Sequence, residues 1–154
     1  MKIEERAKEL GIVIPAFKPM KSKNLVRARQ SGNILYLGGV GPWDGTGYPY
    51  LGKLGRDLDA DQGYAAGRVA GIHMLSILKH FVGDLDNVRQ FLRGIGYVQC
   101  VPGFTDLSRV TNGASDLLID VFGKEIGTHS RASFGVSELA HNIPFEMIMD
   151  VEVS

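Results

Sequence analysis

Two alternating segments near the end of the chain constrain the fold most. Residues 128–136 (THSRASFGV) and 145–151 (FEMIMDV) switch side-chain character at nearly every step, as strands do when successive side chains point to opposite faces of a sheet. In the first, Ala132, Phe134 and Val136 oppose His129, Arg131, Ser133 and Gly135. In the second, Phe145, Met147, Met149 and Val151 oppose Glu146, Ile148 and Asp150. With both apolar rows turned to the core, Arg131 and Glu146 are expected on the other face of one sheet.

The rest of the chain supplies the partners such strands need. Residues 3–10 read as a short amphipathic helix stopped by Gly11, and the prolines at 15 and 19 make the next stretch extended. Residues 24–30 and 33–40 read as a hairpin around Ser31-Gly32-Asn33, leading into the glycine-rich turn 38–47. That turn fits neither common phosphate-cradling pattern, so its expected role is structural. A short edge strand is expected at 53–56. A long helix is expected from Asp59 or Asp61 to about Phe81, closed by Gly83, with Gly67 and Gly71 set close to a sheet. Residues 87–101 read as the longest strand, with Phe91, Ile95 and Tyr97 on one face and Gly94, Gly96 and Val98 on the other. A second helix is expected from Thr105 or Asp106 to Phe122, with a bend at Asn112-Gly113.

This order predicts an α+β fold with two helices on one face of the sheet. The opposite face, carrying Phe91, Ile95, Tyr97, Ile148 and one row of residues 34–37, is too apolar to be left in water. Self-association through that face is therefore expected.

Composition narrows the function. The chain has 154 residues, enough for one domain with a sizeable core. Its 17 basic and 17 acidic residues cancel, which argues against nucleic acid or an anionic membrane as the partner. The lone Cys100 has no disulfide partner within the chain. With no apolar run for a signal peptide or a membrane span, a cytoplasmic protein is expected. His73 and His80 share a helix face without a third ligand beside them, so no metal site is expected.

Arg131 admits two readings. It forms a salt bridge with a carboxylate such as Glu146, Asp150 or a neighbouring copy's residue, or its planar fork holds a substrate carboxylate while Glu146 orients a water. His129, on Arg131's face, is either an interface hydrogen-bonding residue or an extra acid/base group. His141 is assigned to a loop.

Gly32-Asn33-Ile34-Leu35-Tyr36-Leu37-Gly38-Gly39 with Pro42, the following helix, and Arg131-Ala132-Ser133 leading through Leu139 to Phe145-Glu146 together resemble the Rid/YjgF family. Its members are reactive-intermediate deaminases, often labelled L-PSP endoribonucleases. The resemblance covers about residues 24–153, leaving residues 1–23 as an N-terminal arm before a YjgF-like domain at 24–154. It implies a chorismate-mutase-like mixed sheet, a homotrimer around a central barrel, and cofactor-free hydrolysis of 2-imino or enamine acids to 2-keto acids and ammonia. By the same resemblance Arg131 grips the substrate carboxylate, Glu146 positions water, and Gly39 and Ser133 line the cleft. Ser133 stands where a cysteine is usual, Ala140 where a proline is, and Leu25 where a tyrosine is. A non-catalytic binder of small carboxylates is the alternative function; an endoribonuclease and a chorismate mutase are further ones.

Overall fold

The computed structural model describes residues 2–154; Met1, first residue of the expected arm, lies outside the described residues. Helix α1 spans Lys2–Glu9, strand β1 Ala28–Ser31, β2 Ile34–Val40, helix α2 Ala60–Val82, β3 Val88–Gln99, α3 Leu107–Gly127, β4 Ser130–Val136 and β5 Phe145–Val153. The boundaries of α2 follow from its ends. Asp59 and Gln62 form a reciprocal capping box, and Gly83 closes the helix at φ 77°. In place of the edge strand expected at 53–56 there are only isolated bridges from Leu54 to Leu58 and Cys100.

The five strands form one mixed sheet in the order β1-β2-β5-β3-β4. Only the β3–β4 pair is parallel by direct pairing. Strands β2 and β3 both run antiparallel to β5, so they are parallel to each other across it. The connections β2-α2-β3 and β3-α3-β4 step across the sheet in the same direction. Right-handed crossovers then put both long helices on the same face, and β5 returns into the gap between β2 and β3.

The core fills the layer between these helices and the sheet. Phe145, Met147, Met149 and Val151 of β5 meet Met74, Leu75, Leu78, Leu117 and Leu118 of the helices, all buried. Gly67 and Gly71 face α3 rather than the sheet: a Cβ at Gly67 would overlap the Val110 carbonyl, and one at Gly113 would overlap the carbonyl of Tyr64. Asn112-Gly113 is therefore a helix crossing point. The departure from helical geometry in α3 comes later, at Gly123 (φ 82°, ψ 163°).

The other face of the sheet is open. Tyr36 and Phe134 are each about half exposed there, next to Ile95, Tyr97 and Ile148, and Asp150 is paired with Arg93 at 3.0 Å. Phe91 is not part of this face. A register irregularity between Phe91 and Arg93 turns its ring toward the helices, 4.9 Å from the ring of Phe122. Among the described residues no helix is long and apolar enough to cross a membrane.

Candidate active site: two half-sites on opposite faces

Arg131 and Glu146 do not share a face. Arg131 lies opposite Gly94 of β3, which lies opposite Met149 of β5. Glu146 lies opposite Tyr97, which lies opposite Phe134. Arg131 is thus on the helix side with the buried methionines, and Glu146 is on the open side with Phe134. The alternation within each strand is as expected; the assumption that both apolar rows face the core fails for β4. At this edge strand it is the polar row that meets a helix, because α3 offers a matching polar stripe.

That stripe is Thr111, Asn112 and Ser115. Ser133 Oγ donates to Thr111 Oγ1 at 2.8 Å. Arg131 donates through Nη1 to Asn112 Oδ1 at 2.7 Å and to Ser115 Oγ at 3.1 Å. His129 Nε2 is 2.9 Å from the same Ser115 Oγ, and its Nδ1 is 2.7 Å from the Gly127 carbonyl oxygen. A cavity of about 260 Å³ opens at this corner, lined by Asn112, Ser115, Asp116, Ile119, His129 and Arg131. Of the three expected residues here, Arg131, His129 and Ser133, the first two reach the cavity; Ser133 does not line it. Asn112 and Ser115 were not anticipated. Their only signal in the sequence is a run of small polar residues on a helix otherwise patterned for the core.

Arg131 touches only neutral groups, with no carboxylate partner among the described residues. Within one copy the face assignment separates Arg131 from Glu146, and Asp150 is taken by Arg93. Both Nη1 hydrogens are used; Nε–H and the Nη2 hydrogens remain available to an anion. Burial works against the guanidinium's charge, and the nearby Asp116 carboxylate opposes part of that effect. Burial also holds the His129 imidazole below its ordinary pKa, the Gly127 hydrogen bond pulling it upward and the Arg131 charge further down.

The second half-site is centred on Glu146. The carboxylate is half-buried on the open face and has no hydrogen-bond or ion-pair partner among the described residues. Desolvation pushes its pKa up, against a smaller downward pull from His141. Gly39 lies against it, and a Cβ there would overlap Oε1. His141, expected as an ordinary loop residue, is held in the left-handed region (φ 60°) and stacks on Tyr48 at 5.9 Å. The fully buried Gln99 fixes this turn, donating to Asn142 Oδ1 and accepting from the Leu139 amide.

His73 and His80 hold structural contacts. His73 Nδ1 is 3.0 Å from the Gly41 carbonyl, and His80 stacks on Phe17 at 3.7 Å. Among the described residues no group of three metal-ligating side chains comes together.

Residues 11–144 match the family described as "YjgF/chorismate mutase-like, putative endoribonuclease". The protein TCP17 of Trypanosoma cruzi is 34% identical over 153 residues, covering 99% of this chain and 95% of its own. The crystal structure of Atu1372 from Agrobacterium tumefaciens superposes with a TM-score of 0.90 at 34% identity, covering 99% of this chain and 92% of that one. A Shewanella oneidensis structure described as a "putative endoribonuclease" gives a TM-score of 0.93 at 27% identity, covering 99% and 100%.

Proposed function

Because the chain belongs to the YjgF/chorismate-mutase-like family, we propose that it hydrolyses small 2-imino or enamine acids to 2-keto acids and ammonia, in clefts between the subunits of a homotrimer. The observation that carries this reading is an arginine held by two neutral side chains, its remaining donors free for a carboxylate.

Within one copy, Arg131 and Glu146 are too far apart to act on one small acid. Their partners on β3, Gly94 and Tyr97, are 97 − 94 = 3 residues apart, and β3 itself separates β4 from β5. That is about 10 Å along the strands and about 10 Å across them, on opposite faces. A shared site therefore takes Arg131 from one copy and the Gly39–Glu146 corner from the next. The apolar open face, with Ile95, Tyr97, Phe134 and Ile148, supports such packing, since its burial stabilises association by about 25 cal/mol per Å² before association costs.

In this arrangement Arg131 Nε and Nη2 hold the substrate carboxylate. The water oxygen bonds to the imine carbon, and its proton passes to the Glu146 carboxylate and on to nitrogen. The proton of the new hydroxyl then follows the same route to nitrogen as the C–N bond breaks and the C=O bond forms, releasing ammonia and leaving the 2-keto acid. Most of the acceleration comes from holding substrate and water in register, and the raised pKa of Glu146 suits a group that both takes and returns a proton.

The test is subunit complementation. Arg131→Ala and Glu146→Gln are each expected to be inactive on 2-iminobutanoate. Co-assembled, they are expected to recover about a quarter of wild-type turnover, the share of randomly formed interfaces with both native residues. Monomeric wild-type protein, or no acceleration of imine hydrolysis by it, overturns the reading. So does RNA cleavage by the pure protein that Arg131→Ala abolishes.

A further inference from the structure

The hydrogen-bond directions around Ser115 are determined by elimination. The Gly127 carbonyl oxygen only accepts, so the proton of the His129 ring sits on Nδ1, 2.7 Å away. Burial favours the neutral imidazole, so Nε2 carries a bare lone pair. Arg131 Nη1 only donates, so at 3.1 Å it gives a hydrogen to Ser115 Oγ. The remaining partner of Oγ, at 2.9 Å, is His129 Nε2, and Ser115 donates its own proton there.

The result is a hydroxyl on a base, a base oriented by a third group, and a guanidinium beside the hydroxyl. This is the arrangement that activates a nucleophile. The two side chains are 14 residues apart in sequence and come from different elements, α3 and the start of β4. Both line the 260 Å³ cavity, which is open to solvent.

We propose that Ser115 is a nucleophile, activated by His129, for acyl transfer from short-chain esters and thioesters. Ser115 Oγ bonds to the acyl carbon as its proton passes to His129 Nε2. The negative charge gathers on the acyl oxygen beside Arg131. Collapse breaks the bond to the leaving alcohol or thiol, which takes the proton from Nε2, and water releases the acid from Ser115 by the same route. Arg131 is shared with imine hydrolysis, but neither Glu146 nor a second copy of the chain takes part, so an adduct on Ser115 reports on this chemistry alone.

The test treats the full chain with an alkyl fluorophosphonate and maps the adduct by mass spectrometry. A single adduct is expected, on Ser115. It is absent in Ser115→Ala, unchanged in Ser108→Ala, an exposed serine of the same helix, and formed at least about 100-fold more slowly in His129→Gln. No adduct, an adduct on other serines, or an unchanged rate in folded His129→Gln overturns the proposal. Should His129→Gln unfold, Ser115→Cys decides. An imidazole-paired thiol at 115 reacts with iodoacetamide at pH 6 well above the rate of Cys100 in the wild type, and a rate equal to that of Cys100 overturns the assignment.

Discussion

Gly39 and Glu146 fit one another across the boundary between β2 and β5: any side chain at 39 would occupy the space of the Glu146 carboxylate. The obstructed atoms are the far end of a flexible side chain, so the carboxylate can swing aside. Gly39→Ala should therefore keep the fold, with a stability loss of less than about 1 kcal/mol, while moving Glu146. Carbon-detected NMR titration of the Glu146 carboxyl checks this, and an unchanged titration would mean that the glycine does not position it.

Glu146 also makes stability depend on pH. Its folded pKa is raised above the ordinary value of 4.5 by burial, so the native state binds the proton more tightly than the unfolded chain does. That contribution is fully present below about pH 4.5 and is lost as pH rises through the folded pKa. Glu146→Gln removes the penalty of a buried charge. The variant should melt above the wild type at pH 7, and the gap should shrink as pH falls toward 4. A gap that widens on acidification would contradict the assignment.

Arg131 should matter more for anions than for stability. Its partners Asn112 and Ser115 are neutral and part-buried, so Arg131→Ala strands no opposite charge and should cost about 1 kcal/mol. Binding of 2-oxobutanoate, measured by calorimetry, should weaken by at least about tenfold, the worth of one charge-assisted hydrogen bond. Lysine at 131 keeps the charge without the planar fork and should not restore the affinity.

The contact between α2 and α3 should be sensitive to a single methyl. A Cβ at Gly113 would meet the backbone of Tyr64 and Arg68, which cannot turn aside as a side chain can. Gly113→Ala is expected to destabilise by about 2 kcal/mol, lowering Tm by about 4–8 °C in a chain of this size. Differential scanning calorimetry is the check.

What the sequence disclosed depended on whether the signal was local. Asp59, one of the two aspartates expected to start α2, and Gly83 mark its ends because capping needs only neighbouring residues. The pairing of Arg131 with His129 on one face follows from strand alternation alone. Which face that is does not, since it depends on α3 presenting Thr111, Asn112 and Ser115 to the sheet edge. Phe91 was misplaced for a related reason: a register irregularity shifts the two-residue period, and no residue type announces it. His141 needed the tertiary fold as well, because Gln99, more than 40 residues away, builds the turn that holds it.

The close approach of Gly67 to α3 leaves no room for a guest between the two long helices. Anyone wishing to retune what this scaffold accepts must work at its perimeter, in the 41–58 connection, the 137–144 turn and the corner where α3 overhangs β4. The interior is a closely packed layer on which those margins are mounted.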